Sequence, residues 1–190
     1  MQPVILKWIG FMWAGFAVVW LLGALTQKRA VRRDSVWSRF VQVALGILVI
    51  LLLWKHGLHS GLLVGSYVPR PSALSILGLA LTFAGLAFAV TARVFIGRNW
   101  SGMVTVKKDH KLVRNGPYAL VRHPIYTGTL LAVLGTVIAF GATQGLPGVG
   151  LATVILWIKS RREELLMTQE FGDEYTQYKQ KVKALIPFVW

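Results

Sequence analysis

The chain alternates long apolar stretches with short basic ones. Residues 4–25, 40–54, 73–96, 124–140 and 146–158 are almost wholly apolar, and most of the lysines and arginines lie between them. The first and third stretches reach the roughly 20 residues that a bilayer-spanning helix needs, and the other three are shorter. Flanking interfacial residues or local thinning of the bilayer can complete the short ones, so the pattern predicts five spanning helices. No cleavage-site pattern follows the first stretch, which is therefore expected to be a retained helix rather than a signal peptide. The expected fold is an all-α integral membrane protein. Residues 1–190 form one domain, with an N-terminal helical pair and outer loop over 1–72 and a core over 73–190.

Between the apolar stretches, finer patterns place a basic-side insert over 97–123 and a polar tail over 159–190. Within the insert, Met103-Val104-Thr105-Val106 reads as a short extended piece and Asn115-Gly116-Pro117 as a turn. The tail begins as a helix that continues the fifth stretch, and Phe171-Gly172-Asp173 interrupts it. Tyr175, Tyr178 and Val182 recur at i, i+3 and i+7, which predicts an amphipathic helix lying on the membrane or the insert. Pro124 suits the first turn of the fourth helix. The free N–H groups of that turn, with the helix dipole, favour an anionic ligand at the bilayer surface.

Composition agrees with a membrane protein: the chain is 55% hydrophobic, with a mean hydropathy of +0.57. Basic residues cluster after the first stretch (Lys28, Arg29, Arg32, Arg33, Arg39), after the third (Arg98 to Arg122) and after the fifth (Lys159 to Lys183). The positive-inside rule then puts the N-terminus outside and the C-terminus in the cytoplasm. Such a compact chain suits the inner membrane of a prokaryote. The net charge of +14 rims membrane segments and accompanies no nucleic-acid module, so anionic lipid headgroups are the expected partner and nucleic acid is not. The chain has no cysteine, which excludes disulfides and thiolate chemistry within it. His56 and His59 stand three apart in a glycine-rich outer loop without an acidic neighbour, and no metal site is expected.

Acidic residues are scarce. Of the seven, Glu163, Glu164, Glu170, Asp173 and Glu174 fall in the tail. Glu164, Glu170 and Glu174 read as interfacial ion pairs. Glu163 lies one turn beyond Lys159, so the two share a helix face, and an acid and a base together can grip a zwitterionic ligand. Arg93 lies deep in the third stretch, where an arginine faces protein, water or an anionic partner, or snorkels to the surface. Asn99 and Trp100 follow at headgroup level, as acceptor contacts or as an interfacial anchor.

Gly116-Pro117-Tyr118, then Arg122-His123-Pro124-Ile125-Tyr126-Thr127-Gly128, then Glu163-Glu164 and Phe171-Gly172-Asp173-Glu174-Tyr175 stand in this order along the chain. Together they resemble the isoprenylcysteine carboxyl methyltransferase family, with the related membrane phospholipid methyltransferases. The likeness covers about residues 98–188 and includes the closing Ala184-Leu185-Ile186-Pro187-Phe188. It implies methyl transfer from S-adenosylmethionine to a lipophilic acceptor, either a prenylcysteine-type carboxylate or an aminophospholipid. It also implies cofactor contacts from His110, Lys111, Leu112, Val113, Tyr118, His123, Pro124, Ile125, Tyr126 and Glu163. The family carries an arginine on the acceptor one turn before that glutamate, and Lys159 stands there in this chain. Arg93, Asn99, Trp100 and Lys159 are the expected acceptor residues.

The chemistry of these side chains fits that implication. Glu163 can meet an ammonium, and a tyrosine ring can face a sulfonium or an adenine. Methyl transfer is an in-line displacement, so alignment supplies most of the catalysis. His123 is either a base for a protonated amine or a helix-start residue that contacts the cofactor through its backbone. A lipid acceptor is expected to enter laterally between the third and fourth stretches, beside Arg93, Trp100 and Tyr126. Two other readings stay open: an NADPH-dependent reductase of the sterol-reductase type, in which an acidic residue commonly stands at the position of Thr129, and a non-enzymatic lipid-binding protein.

Overall fold

A computed structural model describes residues 2–25, 30–33, 44, 72–97, 105–107, 112–141 and 145–187. In chain order these form α1 (Gln2–Leu25), β1 (Ala30–Arg33), α2 (Ser72–Ile96), β2 (Thr105–Lys107), α3 (Pro117–Leu120), α4 (Pro124–Phe140), α5 (Leu146–Phe171) and α6 (Asp173–Lys181). The second apolar stretch, apart from residue 44, lies outside the described residues, as do His56, His59, Asn99, Trp100, His110 and Lys111. Val4–Gly23 and Ser72–Ile96 are long and apolar enough to cross a membrane, while α4, at 17 residues, is shorter.

The all-α expectation needs one correction. β1 and β2 pair antiparallel, Ala30 opposite Lys107 and Arg33 opposite Thr105. The part of the expected extended piece that is described, Thr105 and Val106, is therefore strand, and its partner is the basic segment after α1; Met103 and Val104 lie outside the described residues. A two-stranded ribbon forms because β-branched residues favour extended backbone, and each strand offers the other its unpaired N–H and C=O groups.

Helix ends follow local chemistry. Pro117 and Pro124 open α3 and α4 in the first turn, where no N–H is needed. Gly141, left-handed at φ 70°, closes α4. Gly172, at φ 53°, separates α5 from α6 where Phe171-Gly172-Asp173 predicts a break. As expected, the helix of the fifth stretch continues into the tail: α5 runs 26 residues without interruption. Lys159, Glu163 and Glu164 thus ride on the same rod as the apolar turns, which fixes their height above the membrane.

α2 and α4 pack antiparallel at backbone distance. Small residues recur at alternating steps of four and three along both: Gly78, Thr82, Gly85 and Ala89 on α2, Gly128, Ala132, Gly135 and Ala139 on α4. A Cβ built on Gly85 falls 2.5 Å from the backbone N of Ala132, and one on Gly78 falls 2.4 Å from that of Ala139. In lipid, helices gain by such close approach because van der Waals contact replaces the missing hydrophobic drive. From Gly78–Ala139 to Ala89–Gly128 the two helices leave no width for an acyl chain, so a lateral opening between the third and fourth stretches is closed along this seam. The level of Arg93 and Tyr126, where the opening is expected, lies beyond it, and Trp100 is outside the described residues.

α1 joins this pair at the start of α2 and the end of α4. Ile5 and Ile9 bury against Ala139, with Met12, Trp13 and Leu79 around them. The Trp13 indole donates to the Thr136 hydroxyl at 3.1 Å, and the Thr136 and Thr82 hydroxyls lie 3.3 Å apart. Both threonines sit one turn from an acceptor carbonyl of their own helix, so these polar groups are satisfied within the apolar layer. Trp8, Phe11, Leu21, Phe83 and Val94 point outward and exposed, as lipid-facing side chains must.

Candidate functional site

The motif residues meet where α4 begins. The turn at Asn115-Gly116 needs glycine, since Gly116 has φ 58° and a Cβ there would strike the Phe95 ring at 2.3 Å. It delivers Tyr118 into a buried position and returns the chain through Val121 to α4.

There the polar tail straps the helix start. The N–H groups of Arg122 and His123 donate to the carbonyls of Lys183 and Ala184 at 2.8 and 3.0 Å, and the Thr127 hydroxyl donates to that of Leu185 at 2.6 Å. The tail takes the N–H donors of the two residues before the helix, whereas the expected anion site draws on the first turn, where the Tyr126 and Thr127 N–H groups donate to the His123 carbonyl. Of the two surfaces that its tyrosine spacing allows, membrane or insert, α6 lies on the insert: Tyr175 and Tyr178 are buried, and the Tyr178 hydroxyl donates to the Tyr118 carbonyl at 2.5 Å. Burial, only partly offset by Arg122 and Arg114, pushes the Tyr178 phenol up to about 12.

α5 supplies two acids. Glu163 Oε1 accepts from the Tyr126 hydroxyl at 2.5 Å, and its Oε2 lies 3.5 Å from His123 Nδ1. The His123 and Tyr126 rings stack 3° from parallel, with centroids 5.4 Å apart. Lys159 Nζ lies over the Tyr126 ring, 5.4 Å from its centre, a cation–π arrangement. Lys159 and Glu163 share the expected face, and the lysine charge helps to keep the glutamate ionised. Burial alone would raise Glu163, yet His123, Lys159 and Tyr126 together hold it below the usual carboxylate range.

Glu164 departs from expectation. It is no interfacial ion pair but a buried hub, 2% exposed. Its Oε1 accepts from Arg122 Nε and Nη2 at 2.9 and 2.5 Å and faces His123 Nε2 at 3.3 Å, while Lys179 Nζ lies 3.3 Å from Oε2. Burial would raise this carboxyl, but the His123 and Arg122 donors outweigh it and hold the pKa at about 2. Arg122 also caps α6, with Nη1 donating to the Lys179 and Val182 carbonyls. Sequence reading leaves both roles unassigned. The available signal is charge scarcity: a buried arginine beside a histidine demands a carboxylate, and few exist. Glu174, by contrast, makes the expected surface pair, with Arg114 at 3.0 Å.

The other expected site residues fall as follows. Pro124 is buried, and Ile125, Leu112 and Val113 are half-buried. Arg93 faces protein rather than snorkelling: it donates to the Gly97 and Gly23 carbonyls, both at 2.7 Å, and so ties the end of α1 to the end of α2. Its charge is also felt at Tyr118. For an acceptor role it would have to share a guanidinium already spent on two carbonyls.

These residues follow the order of a known family, and residues 73–174 match its model, described as phospholipid methyltransferase. The chain belongs to the phospholipid methyltransferase family. Its relatives include a probable protein-S-isoprenylcysteine O-methyltransferase of Oryza sativa subsp. indica, 34% identical over 122 residues, covering 61% of this chain and 62% of the relative. The protein-S-isoprenylcysteine O-methyltransferase of Schizosaccharomyces pombe is 38% identical over 128 residues, covering 64% of this chain and 51% of the relative. Its fold is similar to that of the eukaryotic intramembrane Ras methyltransferase, an isoprenylcysteine carboxyl methyltransferase, with TM-score 0.57 and 25% identity over 82% of this chain and 55% of that one. The matched region thus spans about three fifths or less of these relatives' length. Family and apolar helices together make this an integral membrane protein.

Proposed function

We propose that the chain transfers a methyl group from S-adenosylmethionine to a lipophilic carboxylate of the prenylcysteine type, at the membrane surface on its basic side. The observation that carries this reading is the cluster of Tyr126, Glu163, His123 and Lys159, in which residues 37 apart in sequence meet at the apolar boundary. The donor set suits this cofactor: Glu163 offers an anion for the ammonium, and it lies beside the aromatic ring of Tyr126, a group that attracts cations. S-adenosylmethionine supplies, when bound, an activated methyl group. The chain's own part is to hold the acceptor in line and to keep water out. Lys159 neutralises the acceptor's anion, and Tyr118, buried, is near enough to feel the charge of Glu163. The names of the relatives support a prenylcysteine acceptor. An aminophospholipid is the second reading, favoured by the description of the family model and by lysine standing where the family carries arginine. Charge asymmetry supports an outside N-terminus and a cytoplasmic C-terminus.

Radiolabelled methyl transfer to an S-farnesylcysteine derivative and to phosphatidylethanolamine vesicles tests the reading, and transfer to neither would overturn it. Glu163→Gln is expected to weaken S-adenosylhomocysteine binding by roughly 10- to 150-fold, the loss of one charge-assisted hydrogen bond of about 1.5–3 kcal/mol. Calorimetry on the folded variant checks this, and an unchanged Kd removes Glu163 from the cofactor site. Lys159→Ala should raise the acceptor's KM several-fold with cofactor affinity nearly intact, and Lys159→Arg should keep most of the activity. Equal kinetics for wild type and Lys159→Ala would return Lys159 to anchoring the helix end.

A further inference from the structure

We propose that Glu164, together with Glu163, clamps His123 as an imidazolium, making His123 a cationic brace for Glu163 and not the base of the reaction. Both ring nitrogens of this buried histidine face carboxylate oxygens, Nε2 at 3.3 Å from Glu164 and Nδ1 at 3.5 Å from Glu163. An ionised carboxylate has only lone pairs to offer, whereas a neutral imidazole carries one N–H and one lone pair. Either neutral tautomer would therefore point a lone pair at a carboxylate oxygen inside a buried site, and the doubly protonated ring donates to both. Protonating a carboxylate instead is disfavoured on each side. Glu164 already takes the fork of Arg122 and lies beside Lys179, and Glu163 takes the Tyr126 hydroxyl and feels Lys159.

The charged and titratable groups around the ring and its two carboxylates come from every packed element: Glu163, Glu164, Lys159 and, 3.9 Å from Glu164, Arg161 of α5, Tyr126 of α4, Arg122 before it, and Lys179 and Tyr175 of α6 near Glu164. The balance of these groups agrees with the geometry. Burial would lower His123, but the two carboxylates outweigh it and hold it above the ordinary histidine value. Its stabilising contribution is then complete below about 6.5 and is lost as pH rises through the raised value. The carboxylates, being depressed, contribute above about 4.5 and lose that contribution as pH falls through their lowered values.

This inference rests on the methyl-transfer reading for its consequence. Esterifying a carboxylate releases no proton, whereas methylating an ammonium releases one that needs a base. A site whose histidine stays charged at about pH 7 suits the carboxylate acceptor. Glu164 is a positioning residue: buried against Arg122 and His123, it acts through the ring.

The test reads the ring directly. In protein labelled with 15N-histidine and held in nanodiscs without cofactor, with His123→Asn assigning the signal, both ring nitrogens should be of the protonated type at about pH 7. Glu164→Gln should lower the His123 midpoint by roughly 1–3 units, the usual effect of an opposite charge at this range, and Glu164→Asp should restore most of it. S-adenosylhomocysteine affinity in Glu164→Gln should then fall as pH rises through the lowered midpoint, while wild type holds to higher pH. A neutral tautomer in wild type, or a midpoint unmoved by Glu164→Gln, overturns the clamp. The wild-type spectrum decides this even where a variant fails to fold. Because the titration needs no substrate, failure of the clamp and failure of the methyl-transfer reading are separately visible.

Discussion

Arg122→Ala should destabilise the protein by roughly 3–5 kcal/mol, the cost of removing one partner from a buried ion pair, and should abolish methyl transfer. The Arg122 and Glu164 side chains are only 7% and 3% exposed, so water cannot replace the lost partner. The same guanidinium serves the carbonyls of Lys179 and Val182 at the end of α6, and these too would lose their donor. One substitution would thus loosen both the clamp on His123 and the strap of residues 183–185 over α4. Arg122→Lys should fall between the two, keeping the charge but not the fork that reaches Glu164 through two nitrogens. Thermal melting in detergent gives the stability, and limited proteolysis shows whether the strap comes away. A melting temperature and a digestion pattern equal to wild type for Arg122→Ala would refute this account of the tail.

Gly128→Leu, and independently Gly85→Leu, should lower stability by at least the ~1–3 kcal/mol of ordinary overpacking. The obstruction here is backbone rather than a yielding side chain: a Cβ on Gly128 meets the Gly85 carbonyl at 2.5 Å, and one on Gly85 meets the Gly128 carbonyl at 2.5 Å. The helices must part by the width of a side chain, and the contact that replaces the hydrophobic drive in lipid is lost along the seam. α4 carries Tyr126 at its start, so parting also moves the ring away from Glu163, and activity should fall with stability. Gly10→Leu and Gly150→Leu are the controls, since a Cβ at either meets nothing within 4 Å. If the seam variants melt with the controls, the close packing of α2 on α4 is wrong.

Much of the fold was legible along the chain because it rests on short-range patterns. Runs of apolar residues mark α1, α2, α4 and α5, prolines set the first turns of α3 and α4, and Gly141 and Gly172 end helices where left-handed backbone is required. The separated motifs pointed to the family whose model matches residues 73–174. The shared face of Lys159 and Glu163 is a matter of helical spacing alone. Even the small-residue seam stands in the sequence as steps of four and three, although nothing local says which helix it meets.

What only the tertiary structure decided are the pairings between distant residues. Glu163 and Glu164 are adjacent and chemically identical in sequence. Their fates diverge because successive helix positions turn by about 100°, so one carboxylate faces Tyr126 and Lys159 while the other turns into the ring of Arg122, His123 and Lys179. The role of His123 follows from carboxylates 40 and 41 positions away, and the sealing of α2 on α4 follows from glycines 43 apart. Spacing along one helix is fixed by backbone geometry and can be read from the chain, whereas the charge state of a buried ring depends on which groups folding brings within hydrogen-bond reach.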